Sequence, residues 1–146
     1  MAGKAAKQLE EEAALAVIRT ADRLMLQVTD LLKPYSLSPT QYNVLRILRG
    51  AGKAGASCKD VANRLITRDP DVTRLMDRLE KRGLLTRDRD PEDRRVVTHR
   101  LTDEGLALVN ELDRPIQDQH RANMRGIDPA TLQALIAILE DIRIAP

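Results

Sequence analysis

Aromatic residues are almost missing from this sequence: it has two tyrosines, Tyr35 and Tyr42, and no phenylalanine or tryptophan. Its core must therefore be Leu, Ile, Val, Ala and Met, a mix that favours packed helices over a sandwich or barrel. A single cysteine, Cys58, excludes an internal disulfide framework and fits a reducing compartment. No apolar run approaches the roughly 20 residues that span a bilayer. The opening MAGKAAKQLEEEAA lacks the apolar core of a secretion signal. A soluble cytoplasmic protein without a membrane partner is the expectation. The two histidines, His99 and His120, stand far apart, without the tight Cys/His spacing of a zinc site. Of the three serines, Ser36, Ser38 and Ser57, the last two sit where helix caps are expected. No metal, cofactor or catalytic residue is expected, and the chain does not read as an enzyme.

Net charge is also small, at +2 over 146 residues. Its placement says more than its sum. From Ser57 to Leu101 there are 12 Lys/Arg against 9 Asp/Glu, and elsewhere 12 against 13, so the basic excess is local. With 42% hydrophobic residues the composition is that of a folded chain, long enough for a core plus an assembly surface.

From Lys4 to Lys33, Leu9, Ala13, Ala16, Val17, Thr20, Leu24, Val28, Leu31 and Leu32 recur at three- and four-residue steps. A helix that long must bury its broad stripe against something large, and a second subunit is the expected cover. Pro34 ends it. Ser38-Pro39-Thr40-Gln41 then spells a capping box with proline at the first helical position. Gly50 to Gly55 happens to read GxGxxG, but no strand precedes it and no βαβ unit follows. It is read as a linker between helices.

Ser57-Cys58-Lys59-Asp60 caps a short helix to about Leu65, with Val61, Ala62 and Leu65 inward. The turn Ile66-Thr67-Arg68 follows. Asp69 is expected to cap the next helix with Pro70 at its first position, and Asp71 suits the positive end of its dipole. Val72, Leu75, Met76 and Leu79 form the buried stripe, which leaves Asp71, Thr73, Arg74, Asp77, Arg78 and Lys81 outside. Gly83 stops this helix. A short helix, a turn and a capped second helix with outward Thr and Arg make a helix-turn-helix, whose second helix enters the major groove. Two alternating strands follow, with Leu85, Arg87 and Arg89 going out and Val97, His99 and Leu101 returning. His99 reads as a solvated strand residue. The tip, Asp90-Pro91-Glu92-Asp93-Arg94-Arg95, presents two arginines to a minor groove.

Thr102 caps a further helix carrying the apolar residues Leu106, Val109, Leu112 and Ile116, with a kink expected at Pro115. Asp128-Pro129 opens the last one, whose Leu132, Leu135, Ile136, Leu139 and Ile142 are too apolar for a helix left in water. The expected fold is thus mainly α with a small β-hairpin wing. Residues 38–101 would form the winged helix-turn-helix, and 1–37 and 102–146 the dimerisation helices.

The run VANRL…DPDVTRLMDRLEKRGLLTRDRDPEDRRVVTHRLTDEG resembles the MarR family of bacterial transcription regulators. The carriers are the VTRLMDRLEKRGLL helix with its exit, the DRR tip and the LTDEG entry to the next helix. The resemblance implies a homodimer with interleaved terminal helices, palindromic operators, usual repression, and frequent release by a small ligand or oxidant. It also implies that Asp93 orients Arg95 in the minor groove. The candidate DNA contacts are Thr67, Arg68, Asp71, Thr73, Arg74, Arg78, Asp93, Arg94 and Arg95, with double-stranded DNA as partner. Pro70 and Asp71 depart from the family's pattern early in the recognition helix. His120, near Pro115, is the candidate for an effector cleft, and Cys58 reads as a small packed residue. The competing expectation is a winged-helix interaction or architectural module that does not read DNA sequence.

Overall fold

A 31-residue helix, α1 (Ala2–Leu32), opens the computed structural model, which describes residues 2–145 and their side chains from Ala6 onward. Pro34 converts its end into a 3-10 turn, Lys33–Tyr35. Helix α2 (Pro39–Ala51) starts on the expected capping box. Ser38 Oγ accepts from the Gln41 amide at 3.1 Å, and Gln41 Oε1 accepts from the Ser38 amide at 3.0 Å. The glycine-rich segment supplies the end of α2 and a second 3-10 turn, Gly52–Ala54, so the linker reading holds.

Two short helices follow, α3 (Cys58–Arg64) and α4 (Val72–Lys81). Strands β1 (Leu85–Arg89) and β2 (Val97–Leu101) pair antiparallel, with Leu85 opposite Leu101, Arg87 opposite His99 and Arg89 opposite Val97. Ala56 bridges the outer side of β2: its amide donates to the His99 carbonyl (3.0 Å), and its carbonyl accepts from the His99 amide (2.8 Å). Helix α5 (Asp103–Asn123) runs through Pro115, and α6 (Pro129–Ile144) begins at the Asp128 cap. The architecture is mainly helical with a single two-stranded hairpin. No helix among the described residues is long and apolar enough to cross a membrane.

Two units divide the chain, Met1–Ile116 and Gln117–Pro146. The core of the first is aliphatic: Leu32, Leu45, Leu48, Met76, Leu79, Leu85 and Leu112 are among its fully buried side chains. One expected core position is exposed instead. Ala62 faces solvent because α3 is only two turns long and Val61 alone fills its buried place. On α5, Leu106 is exposed while Gly105 takes the inward position beside Leu84.

Thr102 explains that substitution of roles. Its hydroxyl donates to the Gly83 carbonyl (2.6 Å) and accepts from the Gly105 amide (3.0 Å), and its own amide donates to the Leu84 carbonyl (3.2 Å). The exit of α4 and the entry of α5 are pulled so close that a Cβ on Gly105 would lie 2.0 Å from the Leu84 carbonyl oxygen. Gly105→Ala is therefore expected to destabilise the fold by about 1–3 kcal/mol or more, as overpacking does. A urea denaturation midpoint equal to wild type would disprove that close approach.

Candidate nucleic-acid interface

Helix α3 is fixed at its start by reciprocal bonds. Asp60 accepts from the Ser57 hydroxyl (2.8 Å) and amide (3.2 Å), which hold its carboxyl below the usual range, and Ser57 Oγ accepts from the Asp60 amide (3.1 Å). Cys58, its first residue, is half-buried against the core. The turn after α3 is tied back to α2, because the Ile66 amide donates to Asn43 Oδ1 at 2.8 Å. Thr67 and Arg68 are both exposed in this turn.

The start of α4 differs from expectation. Asp71, not Asp69, is the cap: its backbone is non-helical (φ −131, ψ 57), and its Oδ1 accepts from the Arg74 amide at 3.2 Å. Asp69 instead accepts from the Asp71 amide (2.8 Å), so Asp69 and Pro70 form a turn ahead of the helix. The first turn of α4 is thus Val72, Thr73 and Arg74, and the departure at Pro70 and Asp71 falls outside it. Val72, Leu75, Met76 and Leu79 are buried, whereas Thr73, Arg74 and Arg78 are exposed, with Arg78 one turn beyond Arg74. Gly83, at φ +72, stops the helix in the left-handed conformation.

The wing tip is a set of backbone bonds to two aspartates. Asp90 Oδ1 accepts from the amides of Glu92 (2.8 Å) and Asp93 (3.2 Å). Asp93 Oδ1 accepts from the Arg95 amide (3.0 Å), and its carbonyl accepts from the Val96 amide (2.9 Å). Asp93 therefore holds the main chain at Arg95. Arg94 and Arg95 are exposed on this ordered tip.

An exposed, capped second helix beside a basic hairpin is the geometry that the comparisons match. The MarR family model covers residues 37–97, from just before α2 to the first residue of β2. The HTH-type transcriptional regulator PecS of Dickeya dadantii is 35% identical over 118 residues, 77% of this chain and 69% of PecS. The chain belongs to the MarR family. A crystal structure of a MarR transcription factor from Planctomyces limnophilus is 40% identical, with a TM-score of 0.70 over 89% of this chain and 94% of that one. The repressor CouR bound to a 23-mer DNA duplex is 28% identical, with a TM-score of 0.79 over 92% and 94% of the two chains. CouR from Rhodococcus jostii RHA1 bound to p-coumaroyl-CoA is 26% identical, with a TM-score of 0.79 over 94% and 96%. This MarR-family chain is a transcription regulator and not an enzyme.

Several residues that brace the helix-turn-helix and the wing were not apparent in the sequence. Arg87 donates to Asp77 (2.7 Å) and lies 3.8 Å from Glu80, which ties β1 to α4. Asp77 is thus engaged with Arg87 on the partly exposed side of α4. Arg100 donates to the Lys53 carbonyl and to Asp88, each at 2.7 Å, and braces the hairpin from its other strand. On α2, the Tyr42 hydroxyl and the Arg49 guanidinium both bind Asp113 of α5, each at 2.6 Å. Burial pushes the Tyr42 phenol above its usual range, and the bond to Asp113 adds to that. Burial pushes the Asp113 carboxyl up, but the bonds from Arg49 and Tyr42 outweigh it and hold the group low. His120, the candidate effector residue, is exposed on α5.

His99 contradicts the sequence reading. It is 1% exposed, with neither ring nitrogen hydrogen-bonded, because it shares the inward face of β2 with Val97 and Leu101. The alternation in VTHRL was the available signal. Burial pushes the imidazole below its ordinary 6.5, Arg87 adds to this, and the Ala56 backbone, Glu80 and Asp77 oppose it. The folded state then binds fewer protons than the unfolded one. The contribution of His99 to stability is therefore complete above its ordinary 6.5 and is lost as pH drops below that value. His99→Leu is expected to flatten the decline of the urea midpoint between about pH 7 and 5.5. An unchanged decline in that variant would assign the loss to other groups.

Proposed function

We propose that this regulator is a homodimeric repressor, acting in the cytoplasm, that binds a pseudo-palindromic operator and is released by a small molecule. The observation that carries DNA reading is the pairing of exposed Thr73, Arg74 and Arg78 on a core-anchored helix with exposed Arg94 and Arg95 on an ordered tip. The first set would meet the major groove and its phosphates, with Thr67, Arg68 and Asp71 at the same end of the helix. The second would enter the flanking minor groove. The complexes of CouR with DNA and with p-coumaroyl-CoA support both partners by similarity.

Dimerisation is supported by uncovered apolar side chains at both ends of the chain. Leu9 (67%), Ile18 (63%) and Leu26 (58%) on α1 and Ile136, Ile138 and Ile142 on α6 are exposed. Uncovered apolar side chains in such number favour burial in an interface. In this reading residues 1–37 and 102–146 join the subunits, and 38–101 read DNA. Two-fold symmetry would set the recognition helices roughly 34 Å apart.

Sedimentation should give twice the chain mass of 16.3 kDa. A gel-shift titration with DNA from upstream of the protein's own coding sequence should lose affinity steeply with salt, through counterion release. Arg95→Ala should weaken binding by about 1–3 kcal/mol per half-site and lower the salt slope by about one per arginine removed. A folded Arg95→Ala dimer of wild-type affinity rules out the minor-groove role. Binding indifferent to salt favours the protein-interaction reading of the wing instead.

A further inference from the structure

Arg74, Arg78 and Arg82 follow one another at four-residue steps, so periodicity alone aims three guanidiniums the same way. The third is turned back onto its own chain. Arg82, the C-cap of α4, donates from one terminal nitrogen to the Ser36 carbonyl (2.7 Å) and from the other to the Tyr35 carbonyl (2.8 Å). A planar guanidinium offers two terminal nitrogens in a fixed fork, one for each of two consecutive carbonyls, a geometry that the single nitrogen of a lysine ammonium does not reproduce.

The segment it grips is unusual in two respects. Ser36 sits at φ +53, the sole non-glycine residue with positive φ among the described residues. A left-handed serine persists only when its surroundings hold it there. Leu32 and Leu37, fully or nearly buried, anchor the segment on either side, and the Ser36 amide donates to the Lys33 carbonyl (3.0 Å). The Tyr35 hydroxyl also donates to Glu111 Oε1 on α5 at 3.1 Å. Residues 35–36 are therefore hydrogen-bonded to the end of the recognition helix and to α5, immediately after α1 ends.

We propose that Arg82 is a positioning residue for DNA recognition, holding α4 at a set angle to α1 and α5 through Tyr35 and Ser36. In the dimer, on which this inference rests, that angle fixes the distance between the two recognition helices. Arg82 thereby selects operator spacing without touching DNA. Its fork is occupied by carbonyls of its own subunit, and Tyr35 completes the joint on the α5 side.

The test uses the full-length protein and a duplex selected by the wild type from a random library. The same duplex is also made with one or two base pairs inserted into or removed from the spacer between half-sites. Wild type should prefer its selected spacing by tenfold or more. Arg82→Ala, dimeric and folded by sedimentation and circular dichroism, should lose about tenfold on that spacing. Its preference among spacings should shrink to within about threefold, with the salt slope unchanged. Arg82→Lys should fall well short of wild type in spacing preference, since a point charge on a flexible stem lacks the rigid fork that sets the angle. Tyr35→Phe, which removes only the bond to Glu111, should flatten the preference in the same direction and carries the test if Arg82→Ala does not fold. A wild-type spacing profile in a folded Arg82→Ala or in Tyr35→Phe overturns the proposal. So does rescue by Arg82→Lys together with a lowered salt slope in Arg82→Ala, which marks a phosphate contact. If the wild type selects no duplex, or binds as a monomer, the dimeric DNA-binding reading fails first and the proposal falls with it.

Discussion

Val72, Leu75, Met76 and Leu79 repeat at three- and four-residue steps, and their burial decides where everything else on α4 can point. Fully burying an aliphatic side chain of this size is worth about 1.5–3 kcal/mol. A partly exposed ion pair contributes about 0–1 kcal/mol. Packing therefore sets the rotation of the helix about its axis, and Arg87 with Asp77 and Glu80 refines it. Once that stripe is down, Thr73, Arg74 and Arg78 have no place except the surface. The wing depends on the same packing, because β1 begins directly beyond Gly83 and Leu84 and is tied to α4 by Arg87.

Nine arginines of this chain fall into two groups. Arg49, Arg82, Arg87 and Arg100 are committed to carboxylates or carbonyls within the subunit. Arg68, Arg74, Arg78, Arg94 and Arg95 are exposed around the helix-turn-helix and wing tip. The acids divide in parallel. Asp77, Glu80 and Asp88 pair internally, Asp71 caps α4, and Asp90 and Asp93 fold the tip. These acids are engaged with amides or cations of the protein itself, so a formal excess of three positive charges over residues 57–101 is compatible with the proposed DNA-reading role of the exposed arginines.

Periodicity made most of this fold legible. Caps at Ser38, Ser57, Thr102 and Asp128, the stripe on α4 and the register of the hairpin all follow from local patterns that the structure keeps. Asp69 was the natural cap in sequence because a proline follows it, yet Asp71 takes the role once the Asp69 side chain has bonded to the Asp71 amide. Two residues compete for one function there, and only the backbone conformation decides. His99 was misplaced because a polar residue outweighed its position in the alternation. Arg82 and Arg87 carry no sequence signal of their roles, because their partners lie on other elements or are backbone carbonyls. Long-range bonds of a flexible cation are the part of a fold that local pattern does not encode.

The scarcity of aromatics has a structural counterpart. Both tyrosines of the chain donate their hydroxyls to carboxylates of α5, Tyr35 to Glu111 and Tyr42 to Asp113, two residues apart on that helix. An aliphatic core of Leu, Val and Met resists separation well but resists sliding poorly, since such side chains repack with little penalty when total volume is kept. A phenol is rigid and reaches far, and its hydroxyl bonds well only in a narrow geometry. Two such bonds, with Arg49 closing on the same Asp113, fix α2 and the turn before it at one register along α5. The turn holds Ser36, which Arg82 grips from α4. Register along α5 and the angle of the recognition helix are thus coupled through a handful of directional bonds laid over a core that by itself specifies neither.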